Sequence, residues 1–146
     1  MTYLNKVTPL RMIEVTLSSG QTASQGDYVL FDTIRATGSH SVTVNSSTGE
    51  MGLGPNKRYH IVASIDVDRS STTSSWEFKW HDASGNVLGP SDGAFEAKWI
   101  YSSVANATFT AVYQSGMPVS GIKLRATTLN ATSTINTSTR ILIMET

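Results

Sequence analysis

RYHIVASIDVD, from Arg58 to Asp68, is the stretch whose reading decides the fold. Tyr59, Ile61, Ala63, Ile65 and Val67 occupy every second position, while His60, Ser64, Asp66 and Asp68 alternate with them. Successive side chains of an extended chain point to opposite faces, so this period of two sets an apolar row against a core and a polar row toward water. A helix needs apolar residues three and four apart, and no window of this sequence keeps that spacing for three turns. The stretch predicts a half-buried β-strand.

The same alternation recurs outward from it in both directions. Trp76, Phe78 and Trp80 alternate with Glu77, Lys79 and His81, predicting a strand with three large rings in the core and a charged face opposite. Asp82 to Asn86 reads as the turn that follows. Further runs are Met12 to Leu17, Tyr28 to Ile34, Val42 to Val44, Ala107 to Tyr113, Ile122 to Thr128 and Arg140 to Met144, about eight or nine strands in all. Leu53-Gly54-Pro55-Asn56 marks a turn, because proline presets φ and asparagine tolerates positive φ. Gly49 to Gly54 has no following helix to receive a phosphate and reads as turn and bulge glycine. Ser70 to Ser75 reads as an exposed loop, and a short helical turn is expected near Asp92 to Lys98. Strands without crossover helices pair antiparallel, as a sandwich, barrel or jelly roll. At 146 residues one domain is expected, with residues 1–12 as an N-terminal extension or attachment arm and 13–146 as the β domain.

Composition narrows the function. Hydrophobic residues make up 39% and charged residues 15% of the chain, and Ser, Thr, Asn and Gly fill the difference, which favours strands and turns over helices. Eleven basic and eleven acidic residues cancel, leaving no long-range field to hold a nucleic-acid backbone or an anionic membrane. The absence of cysteine excludes disulfides, thiolate metal sites and cysteine nucleophiles, and suits assembly in a reducing cytoplasm. No apolar run approaches the roughly 18 residues of a membrane span, so neither nucleic acid nor a membrane is expected as a partner.

No motif for catalysis, cofactor or metal is found. His40, His60 and His81 lie in separate segments, and no Gly-x-Ser-x-Gly elbow activates a serine. His60 and the acids Asp66 and Asp68 share a strand face, but six residues of strand span about 20 Å, too far for one ion. Asp66 and Asp68 alone, about 7 Å apart, would need oxygen ligands from a neighbouring loop to hold calcium, and a solvated acidic face is the simpler expectation. Trp76 and Trp80 are expected in the core. Trp99 and Tyr101, outside any regular alternation, are the surface candidates for stacking on a sugar ring. The four Asn-x-Ser/Thr triplets beginning at Asn45, Asn106, Asn130 and Asn136 are read as a product of composition.

The order of these pieces carries a resemblance. Thr16-Leu17-Ser18-Ser19-Gly20-Gln21-Thr22 with Gly26 to Asp32, the turn and aromatic-led strand Leu53 to Ile61, the aromatic strand Trp76 to Asp82 with its return Val87-Leu88-Gly89, Val119 to Thr128, and the close Thr139 to Glu145 together resemble trimeric jelly-roll domains of tailed bacteriophages. Such domains, similar to those of tumour necrosis factor and complement globular heads, sit on fibres, needles and capsid surfaces. The likeness runs from about Thr16 to the end, apart from the Asn/Ser/Thr-rich insert Leu129 to Ser138, and Met1 to Leu10 lacks the heptads of a fibre shaft.

The resemblance implies an all-β antiparallel sandwich of jelly-roll topology, a homotrimer, and a non-enzymatic structural protein of the virion assembled in the host cytoplasm. Its implied partners are further copies of itself, other virion proteins and a host-surface glycan. Arg140 to Met144 is apolar on both faces, Ile141 and Ile143 one way and Leu142 and Met144 the other, so one face can be core and the other a subunit interface. The competing reading sandwiches that strand within one chain. A second functional reading is a carbohydrate-binding module that uses Trp99 and Tyr101.

Overall fold

The structure, a computed structural model, describes residues 11–36, 38–55, 57–68, 75–88, 96–100, 104–112, 119–129 and 132–146. For 75, 96–100, 104–112 and 119–120 it describes the backbone alone. Twelve strands follow one another: β1 (Arg11–Thr16), β2 (Gln21–Ala23), β3 (Thr33–Ala36), β4 (Thr43–Asn45), β5 (Glu50–Leu53), β6 (Arg58–Asp68), β7 (Ser75–His81), β8 (Glu96–Ile100), β9 (Val104–Val112), β10 (Val119–Leu129), β11 (Ser133–Ile135) and β12 (Arg140–Glu145). Among the described residues there is no helix. The chain is all-β.

The strands form two antiparallel sheets. In the seven-stranded sheet the order is β2-β11-β6-β12-β1-β3, with β9 also paired to β6; in the five-stranded sheet it is β4-β5-β10-β7-β8. Strand β6 is the hub of the first sheet. It pairs with β9 from Arg58 to Asp66, with β12 from Tyr59 to Ser64, and with β11 at Val67 and Asp68. The expected alternation holds along its whole length: Tyr59, Ile61, Ala63, Ile65 and Val67 are buried, and the residues between them are half-buried or exposed.

The two sheets share one core. Ile13 and Val15 of β1, Ile141 and Ile143 of β12 and the inner row of β6 meet Met51 and Leu53 of β5, Trp76, Phe78 and Trp80 of β7, and Ile122, Leu124 and Ala126 of β10. Trp76 and Phe78, two residues apart on one strand face, meet edge to face with ring centroids 5.3 Å apart and an interplanar angle of 73°. Burial of each such side chain stabilises the fold by about 1.5–3 kcal/mol. Strand β10 carries an irregularity between Val119 and Ile122 against β5. Gly121 sits there at φ 83°, and a Cβ on it would lie 2.3 Å from that of Ala83, so a side chain is excluded by both backbone and space.

Three expectations need correction. The run Tyr28 to Ile34 is not one strand: Val29 and Phe31 are fully buried, yet only Thr33–Ala36 pairs as β3, and Tyr28 makes an isolated bridge to Arg125. The reason lies in its hydrogen bonds. Val29 N–H donates to the Leu124 carbonyl in the second sheet and Asp32 N–H to the Thr16 carbonyl in the first, so the segment crosses between layers, and Gln21 Oε1 takes the Leu30 N–H on the way. The helical turn near Asp92 to Lys98 is replaced, where described, by β8, whose backbone pairs with β7. The short strand β5 stands where turn and bulge glycine were expected, β11 lies within the Asn/Ser/Thr-rich insert, and β2 lies where no strand run was expected; three or four residues carry too little alternation to be read. The expected run Met12 to Leu17 is present as β1, shifted by one residue at each end. Residues 1–10, and 69–74 of the expected loop, lie outside the described residues.

At one end of the first sheet the inward row changes character. Ile13, Ile143 and Ile61 lie side by side in register, and two residues further the same positions are Arg11, Glu145 and Tyr59. The Tyr59 hydroxyl donates to the Gly54 carbonyl at 3.2 Å and accepts its N–H at 2.9 Å. Burial, and secondly the Glu145 carboxylate beside it, push the Tyr59 phenol up to about 12.

Replacing Phe78 with alanine is expected to lower unfolding free energy by about 3–5 kcal/mol in a denaturant titration. In the unfolded chain tyrosine releases its proton near pH 10, so between there and about 12 the folded state holds one proton more. Tyr59 therefore stabilises the fold fully below pH 10, and stability falls as pH rises through that interval. A Tyr59→Phe variant should show a shallower alkaline loss of melting temperature.

Candidate functional site

The strands that fill the core inward also build an outward face on the first sheet. Along β12, Ile141 and Ile143 are fully buried, while Leu142 and Met144 point the other way and are half-buried. Register sets Met12 of β1 and His60 of β6 on either side of Met144, and Glu14 and Val62 on either side of Leu142. Met12 is 42% exposed. Met12, Met144, Leu142 and Val62 thus form an apolar patch across three neighbouring strands, flanked by charge. Glu14 stands opposite Arg35 of β3, and Arg140 follows at the strand start. Among the described residues none of these three ionic side chains forms an ion pair. The four residues Ile141, Leu142, Ile143 and Met144 are therefore divided, two to the core and two to this face.

The acids of β6 meet a different element. Between its pairings with β12 and β11, the strand faces the turn Asn136 to Thr139, which holds it by both backbone and side chains. Thr139, fully buried, accepts the Asp66 N–H at 2.9 Å and donates to the Asp66 carbonyl at 3.1 Å through its hydroxyl, and Asn136 N–H donates to that same carbonyl. The Ser138 hydroxyl donates to the Asp66 carboxylate and the Asn136 amide to that of Asp68 at 3.0 Å. The neighbouring loop a cation would need is there, but it supplies hydrogen-bond donors to the acids. No group of three or more His, Asp or Glu side chains among the described residues is placed to hold a metal ion.

The three histidines stay apart. His60 lies on the outward sheet face, His40 in the loop after β3, and His81 at the end of β7, where its Nδ1 is 2.9 Å from the Lys79 carbonyl and burial pushes the imidazole below its usual value. Trp76 and Trp80 are in the core as expected. The backbone of Trp99 lies in β8 opposite Trp76; its side chain, and the whole of Tyr101, lie outside the described residues.

Sequence reasoning missed the surroundings of Tyr28. The Lys123 ammonium lies 4.6 Å and the Arg125 guanidinium 5.4 Å from the ring centroid, and His81 meets the ring edge to face at 6.2 Å. Gln21 pins this segment, its Nε2 donating to the Tyr28 carbonyl and its Oε1 accepting the Leu30 N–H. The alternation of Lys123 and Arg125 along β10 signalled one basic face, but not the ring from a distant loop that would lie against it.

No family model matches the chain, and no curated protein matches it in sequence.

A Thr139→Val substitution keeps the volume but removes both hydroxyl hydrogen bonds to Asp66. Chemical denaturation should show a loss of about 1–3 kcal/mol.

Proposed function

We propose that this chain is a non-enzymatic structural protein of a bacteriophage virion, a homotrimeric jelly-roll knob or decoration protein that works through surface contacts with other virion proteins or the host surface. The observation that carries this reading is the nesting of the strand pairs. Strand β1 pairs with β12, β5 with β10, β6 with β9 and β7 with β8, so each pair encloses the next in sequence order. Nesting of this kind is what a long antiparallel hairpin folded over two sheets would leave, and it supports the reading as a jelly roll, an architecture found in viral capsid and lectin domains. The virion role comes from the sequence resemblance, since a fold alone does not specify a function.

Trimerisation is supported by the outward face of β1, β12 and β6. An apolar centre rimmed by Glu14, Arg35 and Arg140, charges of both signs with no ion-pair partner among the described residues, is suited to packing against neighbouring copies around a three-fold axis. A core strand is thereby also an interface strand, as its two-faced apolar pattern implies.

Light scattering coupled to size exclusion should give three times the 15.7 kDa chain mass. Met12→Glu and Leu142→Glu should each shift the mass toward one chain while the far-ultraviolet spectrum stays that of a β protein. A wild-type chain that runs as a monomer at all concentrations overturns the trimer.

A further inference from the structure

Tyr28 lies on the outer face of the second sheet, over the end of β7 and the basic row of β10, while its neighbour Val29 is sealed in the core. We propose that His81 makes this contact a proton-operated latch. With the imidazole neutral, residues 26–30 stay closed on β7 and β10; with it protonated, they open. The inference goes beyond the virion reading and uses none of the residues of the outward face of the first sheet.

The latch is tied by few bonds. Gly26 N–H donates to the Ala126 carbonyl at 2.7 Å, Val29 N–H to the Leu124 carbonyl at 2.9 Å, and Ala126 N–H to the Asp27 carbonyl at 2.9 Å. Arg125 Nε adds a bond to the Gly26 carbonyl at 2.8 Å. Between them the Tyr28 ring meets His81 edge to face at 6.2 Å, and His81 is left only 3% exposed. Opening of residues 26–30 breaks these four bonds and lifts the ring away, so that water reaches the imidazole. A crossing segment held this way opens at lower cost than β6, which is paired along both edges.

The surroundings of His81 are poorly suited to a further positive charge. Lys123 stands directly opposite it in the ladder of β7 and β10, Arg125 follows on the same face, and Lys79 precedes it on β7. The Lys123 and Arg125 cations already lie 4.6 Å and 5.4 Å from the centroid of the Tyr28 ring. Of the nearby carboxylates, Glu50 pairs with Lys123 at 3.9 Å and Glu77 with Lys79 at 3.5 Å. Asp82 favours the imidazolium but is committed to its own turn, where it accepts the Ser84 and Asn86 N–H groups and the Asn86 amide. The Lys79 carbonyl, 2.9 Å from Nδ1, can only accept, so the neutral ring carries its proton on Nδ1. A second proton enters at Nε2, which has no hydrogen-bond partner among the described residues.

Linkage gives the direction. Burial is the largest influence on the imidazole and the Lys79 carbonyl opposes it; Arg125 then lowers its proton affinity, Asp82 raises it and Lys79 lowers it, leaving the closed form below the ordinary 6.5. Once the segment opens, the imidazole regains that ordinary value. The open form therefore binds the proton at higher pH, and opening grows as pH falls through 6.5, by at most about tenfold per unit, until the closed form is itself protonated. The effect reaches the surface, because Tyr28 and Leu30 form one wall of a groove of about 430 Å³ completed by Thr22, Ser47 and Lys123. The shape of that groove depends on the latch.

Two measurements on the intact chain test this: an NMR titration of the His81 ring, and amide hydrogen exchange from neutral to mildly acid pH, corrected for the intrinsic pH dependence of exchange. The His81 midpoint should lie below 6.5. Protection of the Gly26, Val29 and Ala126 amides should decline relative to that of β6 as pH falls below this value, by up to about tenfold per unit. His81→Gln, neutral throughout, should abolish the decline. Lys79→Gln, which touches none of the segment's hydrogen bonds, should raise the His81 midpoint and reduce the decline. Melting curves show whether each variant is folded; if His81→Gln is not, the wild-type titration and exchange profile decide alone. The proposal is overturned if His81 titrates at or above 6.5 in the folded chain, if those three amides follow pH as β6 does, or if folded His81→Gln keeps the wild-type decline.

Discussion

Strand β6 is the constraint on which the rest of the structure depends. Its eleven residues are paired along both edges, to β9 on one side and to β12 and then β11 on the other, and every second side chain is sealed in the core. A strand committed on two edges and one face has only its remaining face for solvent or a partner. That leaves His60, Val62, Ser64 and Asp66 in the outward row, and two of these are met by a neighbouring element. Asp66 is held by the Asn136 to Thr139 turn, and Val62 completes the apolar patch with Leu142.

How much of this was legible in the sequence depends on how long each strand is and where its backbone bonds go. The alternation in Arg58 to Asp68 and in Trp76 to Trp80 is long enough to declare both its period and its buried face, and the structure agrees residue by residue. The two-faced apolar strand at the end was also visible, because Ile141 to Met144 shows no polar residue on either side. Three-residue strands such as β2 and β11 leave no such trace. They exist because tertiary pairing holds them, and Gln21–Ala23 has no alternation of its own to distinguish it from a loop. Tyr28 to Ile34 misled in the opposite direction, since its apolar residues are buried but its amides bond to two different sheets.

The site residues divide along the same line. A role that depends on one strand's pattern, such as the core rings or the inner and outer faces of β12, could be read. A role that depends on segments meeting far in sequence could not: Arg11 and Glu145 are separated by nearly the whole chain and face each other across one ladder. Charge spacing along the sequence contains no information about such a meeting. The ring of Tyr28 under Lys123 and Arg125 is a second example, assembled by a crossover that only the folded chain defines.

Nesting of the strand pairs also sets the order in which the molecule can come together. The innermost pair, β7 with β8, joins segments close in sequence, while the outermost, β1 with β12, joins the two ends of the described chain. Loop-closure entropy makes distant pairings slow, and topologies dominated by them fold on millisecond-to-second scales. During synthesis β1 and β6 must wait with open edges until Arg140–Glu145 leaves the ribosome and slides between them. A chain that has not yet placed β12 therefore displays two unpaired strand edges to its neighbours, and its exposure to misassembly ends only when Arg140–Glu145 is seated between them.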